Sequence, residues 1–113
     1  MDNPKHFYLE IITPTKQFYT GPAQALILPA VDGQMGVYAN HEPVVTAIEP
    51  GQLYYQVDED WEHVVVGAGF AEIKPDYAIL LVSTAERPEE IDFNRAQEAK
   101  KRAEERLRQK QSI

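Results

Sequence analysis

The sequence predicts a mainly β protein: an N-terminal β-sandwich of about ten short strands over residues 1–85, then a C-terminal helical arm over residues 86–113. Two observations carry this. Up to Thr84, short runs with alternating apolar residues recur, bounded by Gly, Pro or Asp, with no helical spacing between them. Beyond it the chain becomes a highly charged stretch containing Ile91-Asp92-Phe93-Asn94-Arg95-Ala96. Strands without intervening helices close into a sandwich or a flattened barrel. A sandwich with a helix at one end is a scaffold with an arm, a design that suits binding or regulation better than catalysis.

Phe7 to Thr13 alternates around Phe7, Leu9 and Ile11; Gln17 to Thr20 is a second run, and Ala23 to Leu28 a third, ended by Pro29. Asp32-Gly33 marks a tight turn, Gly36-Val37-Tyr38 resumes extension, and Pro43 to Ile48 ends at Pro50-Gly51. Leu53 to Val57 and His63 to Val66 flank the polar hairpin connection Asp58-Glu59-Asp60, and Gly69 to Ile73 and Tyr77 to Val82 flank Pro75-Asp76. Gly67-Ala68-Gly69 lacks the third glycine of a dinucleotide loop and leads into a strand. It reads as a hairpin turn or bulge where backbones approach closely. Trp61 reads as a half-buried edge residue.

In the arm, Asp92 is the expected N-cap, with Ile91 and Ala96 in the two positions of a hydrophobic staple and Glu89 and Glu90 beside the positive helix end. Glu98 with Arg102 and Glu104 with Arg108 are spaced for ion pairs along an exposed helix. Ala96, Ala99, Ala103 and Leu107 form a narrow stripe that another element could approach closely; the same alanines also favour a helix that stands alone in water.

A chain of 113 residues holds one domain with its own core and a short appendage. There is no cysteine, so disulfide and thiol chemistry are excluded. The net charge of −7 is uneven: up to Ala85 eleven acidic residues face three lysines, and from Glu86 onward seven acids face eight bases. So acidic a body repels nucleic acid and anionic lipid. Ala25 to Leu28 and Ala78 to Val82 are too short to cross a bilayer, and Met1-Asp2-Asn3-Pro4 lacks a signal-peptide pattern, which together suggest an intracellular soluble protein without direct membrane insertion.

Catalytic constellations are hard to find. His6, His41 and His63 share no ligand spacing, and Ser83 and Ser112 have no nucleophile motif around them, so neither a metal site nor an enzyme is expected. Glu86, Asp92, Arg95 and Arg102 lie around the expected helix start: the carboxylates could accept from a base or ribose, and the guanidiniums could meet phosphates. Ordinary capping and surface ion pairs account for the same spacing.

The residues resemble the epsilon subunit of F-type ATP synthase, known as delta in mitochondria, from about Leu9 to Leu107. The landmarks are Leu9-Glu10-Ile11-Ile12-Thr13-Pro14, Asp32-Gly33-Gln34-Met35-Gly36-Val37, Asn40-His41-Glu42-Pro43, Thr46-Ala47-Ile48-Glu49-Pro50-Gly51 and Gly69-Phe70-Ala71-Glu72-Ile73-Lys74-Pro75-Asp76. The resemblance implies a non-catalytic subunit of the rotor's central stalk. It would sit beside the gamma subunit and on the c-ring of the membrane sector, at the cytoplasmic face of a bacterial plasma membrane, and reach the alpha and beta subunits through the arm. Asp32, Gly33, Gln34 and His41 match positions near the c-ring loops, with Gln34 where an acid is common and Asn40 where glycine is common. Ile91, Asp92, Arg95 and Ala96 match the family's nucleotide motif, and Glu86 and Arg102 fall at matching positions, so ATP is implied as a regulatory ligand, with no cofactor required. The family's second C-terminal helix is expected to be absent. The alternative reading is a free-standing β-sandwich binding module whose helix self-associates.

Overall fold

The computed structural model describes residues 5–111. Its elements are β1 (Phe7–Ile12), β2 (Gln17–Ala23), β3 (Ala25–Ala30), β4 (Gly33–Tyr38), β5 (Val44–Ile48), β6 (Gly51–Val57), β7 (Asp60–Val66), β8 (Gly69–Ile73), β9 (Tyr77–Val82), β10 (Ala85–Glu86) and α1 (Pro88–Gln111). The strands form two five-stranded sheets, one ordered β2-β1-β9-β8-β5 and the other β10-β7-β6-β3-β4. Neighbours run antiparallel except β1 and β9, which pair in parallel with Leu9 opposite Ala78 and Ile11 opposite Leu80.

Alternation explains the core. Phe7, Leu9 and Ile11 on β1, Ala78, Leu80 and Val82 on β9, and Ala71 and Ile73 on β8 are buried, while the residues between them point outward. From the second sheet Leu26, Leu28, Val37, Leu53, Tyr55, Val64 and Val66 complete the same cluster. Each leucine-sized side chain taken fully from water contributes roughly 1.5–3 kcal/mol. The β-sandwich followed by a single helix is thus the fold that the alternation predicts.

The differences from expectation have physical causes. β2 continues through Gly21 and Pro22, because it is an edge strand and proline's missing donor is tolerated there. β3 also runs through Pro29, whose carbonyl accepts from Glu49 N–H at 2.9 Å. Pro29 therefore turns its carbonyl, and the nitrogen that lacks a hydrogen, away from β4, and no β3–β4 bond is lost. The two-residue turn Asp58-Glu59 takes φ of 50° and 70°, the left-handed pair that a tight hairpin requires, with Val57 opposite Asp60.

Gly67-Ala68 carries the chain from one sheet to the other, alongside Ser83-Thr84, which crosses back. Gly67 N–H donates to Thr84 O at 3.0 Å and Ser83 N–H to Ala68 O at 2.9 Å. A Cβ on Gly67 would strike the Ser83 hydroxyl, and one on Gly69 the Leu81 carbonyl. The close approach expected there is real, and it is a corner between sheets rather than a hairpin. After it comes β10, unforeseen because two residues carry no period; Ala85 and Glu86 pair with Val66 and Val65.

The helix begins at Pro88, five residues before the start that a cap at Asp92 would set. Proline at the first helical position has no N–H to leave unpaired and a φ already suited to the helix. The Arg87 carbonyl accepts from Glu90 N–H at 3.0 Å and Ile91 N–H at 3.3 Å, so Arg87 is the capping residue and Asp92 lies inside the helix. From Asp92 to Lys110 every residue is exposed.

Candidate functional site

The expected nucleotide residues do not converge. Glu86 is half-buried in β10, beside a cleft of about 180 Å³ lined by Thr13, Thr15, Lys16, Ser83, Thr84 and Ala85. Ile91 is half-buried at the helix root, and Asp92, Arg95, Ala96 and Arg102 stand exposed along α1. Asp92 and Arg102 are about 15 Å apart along the axis, at 1.5 Å per residue. Arg102 pairs with Glu98 at 4.0 Å, as expected, whereas Arg108 pairs with Glu105 at 3.7 Å rather than with Glu104. Side chains three apart share a helix face as readily as those four apart.

The second predicted set is also divided. Asp32 lies in the exposed turn between β3 and β4, while Gly33, with φ 113°, and Gln34 open β4. His41 follows the other end of β4, so about 13 Å of extended chain, from Gln34 to Tyr38, separates the two parts. His41 Nδ1 donates to the Glu42 carbonyl at 2.7 Å. Asn40 takes φ 66° and donates its N–H to Pro75 O at 2.7 Å. Asparagine tolerates that left-handed backbone.

Two features were missed by sequence reading. The first is the root of the arm. Arg87 pairs with Glu62 of β7 at 3.2 Å and approaches Glu90 at 4.0 Å, and its guanidinium lies over the Phe18 ring, 5.4 Å from the centroid. Lys16 Nζ also lies over that ring, at 5.5 Å. Tyr19 and Tyr55 pack beside them with centroids 4.7 Å apart. Burial raises the pKa of both tyrosines; Asp58 and Glu62 add to the rise at Tyr19, and Arg87 offsets part of it at Tyr55.

The second is the outer face of the β2-β1-β9-β8-β5 sheet. The registers align Ala47, Phe70, Leu81 and Ile12 in one row across four strands. Phe70 is 63% and Leu81 55% exposed, and Val45 and Tyr8 are exposed on the same face. The row runs into a cleft of about 360 Å³ lined by Ile12, Thr13, Pro14, Leu81, Val82 and Ser83. The next row carries Glu72 and Glu10 on either side of Ile79. The signal was in the sequence: Tyr77 to Val82 is apolar without interruption, as in a strand meant to be covered on both faces.

Fold and surface together define a class: a β-sandwich with a helical arm, whose apolar groups outside the core are laid out for contact with other protein. Among the described residues no helix is long and apolar enough to cross a membrane. Residues 6–88 match the family model described as the ATP synthase delta/epsilon chain, beta-sandwich domain, and residues 89–113 match its long alpha-helix domain. The chain is 49% identical over 106 residues to the ATP synthase epsilon chain of Ruminiclostridium cellulolyticum, covering 94% of this chain and 79% of that one. It is 44% identical over 109 residues to the epsilon chain of Caldanaerobacter subterraneus subsp. tengcongensis, covering 96% and 79%. A chain in the cryo-EM structure of the Euglena gracilis mitochondrial ATP synthase (OSCP/F1/c-ring) shares the fold with a TM-score of 0.75 at 24% identity, covering 92% of this chain and 67% of that one. The chain belongs to the ATP synthase delta/epsilon family.

Proposed function

We propose that the chain is a non-catalytic central-stalk subunit of an F-type ATP synthase, linking the gamma subunit to the c-ring on the cytoplasmic face of the membrane. The observation that carries this reading is the uncovered row Ala47-Phe70-Leu81-Ile12, an apolar surface outside a core that is already complete. Such a surface gains from burial only against a partner. Gamma is assigned to it, with Glu10 and Glu72 favouring basic residues on the gamma side. The exposed corner formed by Asp32, Gly33 and the Gln34 side chain is assigned to the c-ring, and His41, at the far end of β4, to a separate contact.

The arm has the regulatory part. Asp92, Arg95, Ala96 and Arg102 share one side of α1 but are spread over about 15 Å of it, with Ile91 at its root and Glu86 in β10, so ATP binding is proposed for the assembled state, where another element completes the site, with the arm reaching alpha and beta. The test is affinity capture of the tagged chain from detergent-solubilised membranes of its host. Recovery of gamma, alpha and beta with it supports the stalk reading. Capture of the chain alone contradicts it and leaves a free-standing binding module. Calorimetry of that complex with millimolar ATP tests the regulatory part, and absence of heat removes it without touching the stalk assignment.

A further inference from the structure

The two sides of the sandwich differ in how their sheet edges are protected. On one side β2 contains Pro22 and is bulged against β1 between Ile11 and Ile12, and β10 has only two residues. On the other side β4 is the outermost strand of its sheet, six residues long, with neither charge nor proline (Gly33-Gln34-Met35-Gly36-Val37-Tyr38) and in unbroken register with β3. β5, the outermost strand of the other sheet, follows it in the chain and is likewise uncharged. Long, uncharged, regular edges pair with other chains, and free-standing sheet proteins block them with lysine, proline or a bulge.

Pro29 fixes which groups of β4 are free. It lies opposite Gln34 and directs its carbonyl to Glu49, away from β4, so Gln34 also turns its N–H and C=O outward. By alternation Gly36 and Tyr38 do the same, while Met35 and Val37 bond back to β3. Gln34, Gly36 and Tyr38 are all exposed. Gly36 has no side chain to obstruct an approaching backbone, and Asp32 and Glu42 place negative charge beyond the two ends of the strand.

We propose that β4 is a docking edge onto which an extended segment of a neighbouring stalk protein, basic at its ends, adds as a further strand through the N–H and C=O groups of Gln34, Gly36 and Tyr38. This rests on the stalk reading and specifies how one of its contacts is made. Backbone pairing supplies affinity, and the two acids select against acidic segments.

The test is residue-resolved hydrogen exchange on the isolated chain and on the chain within the purified ATP synthase. The amides of Gln34, Gly36 and Tyr38 exchange fast in the isolated chain and slow about 100-fold in the complex, whereas Met35 and Val37 are slow in both. Fast exchange at all three in a complex that contains the chain overturns the docking edge and leaves the stalk reading intact. A chain that fails to enter the complex removes both. Protection that appears in the isolated chain on raising its concentration assigns the edge to a second copy and also overturns the proposal. Gly36→Pro removes one outward donor and no bond to β3, so retention in the complex falls about tenfold while the melting curve is kept. Unchanged retention contradicts the proposal; should this variant misfold, the exchange experiment decides alone.

Discussion

The sandwich and the arm are stabilised in opposite ways. Leu9, Ile11, Leu26, Leu28, Leu53, Ile73 and Leu80 are completely buried, so the sandwich rests on long-range packing between sheets. Every residue of the arm from Asp92 to Lys110 is exposed, and its helix rests on alanine, on ion pairs of a few tenths of a kcal/mol and on the tether at Arg87. The difference teaches what each part is for. The sandwich is a finished fold with spare apolar surface, a rigid platform; the arm is a helix whose position its own chain fixes only at the root, and it can be repositioned without disturbing the core.

The comparison can be broken most forcefully in the core. Leu80→Ala should cost about 2–5 kcal/mol in urea unfolding, while Leu107→Ala should change the same curve by less than about 0.5 kcal/mol. Equal losses would mean that the arm packs on the sandwich. Gly69→Ala should follow at about 1–3 kcal/mol, because its Cβ meets the Leu81 backbone, whereas Gly36→Ala meets only the Tyr38 ring at 3.5 Å and should be near neutral.

The tether gives a smaller effect. Arg87→Ala should lower stability by up to about 1 kcal/mol, a figure reduced by the half-exposure of both partners and by salt. It should broaden the distance distribution between spin labels on the sandwich and on α1. The wild-type chain has no cysteine, so paired labels can be placed freely. An unchanged distribution would move the arm's anchor elsewhere.

The smallest effect is alkaline. Tyr19 and Tyr55 have pKa values raised by burial, so their folded forms hold the proton more tightly than the unfolded chain does. That contribution is fully present below the ordinary tyrosine value of about 10 and is lost as pH rises through the folded values. Melting temperature should fall from about pH 10 upward, and Tyr55→Phe should flatten the fall. A profile that is the same in both proteins would exclude Tyr55 as a source.

Legibility in the sequence followed the same division. Strands with a clear period of two, such as β1 and β8, were placed to within a residue, because one buried face imposes the alternation. Pro29 misled, because a proline stops a strand only where its nitrogen must donate, and that depends on which neighbour it faces. Asp92 suited the cap by its side chain, yet Pro88 set the start through its backbone, with Arg87 supplying the carbonyl. The residues of the expected nucleotide motif on α1 are spread along an exposed helix, and no spacing rule reports what another element would add to them. The outer apolar row was visible as the unbroken run Tyr77 to Val82, but its continuity through Phe70 and Ile12 depends on register, which links residues far apart in the chain.

The most direct test of the platform-and-arm account is the recovery of gamma by three forms of the tagged chain: wild type, Phe70→Asp with Leu81→Asp on the sandwich face, and Phe93→Asp with Leu107→Asp on the arm, each first shown to melt as the wild type does. The account predicts that the face variant loses gamma and the arm variant retains it. Retention of gamma by the face variant together with its loss from the arm variant would contradict the account.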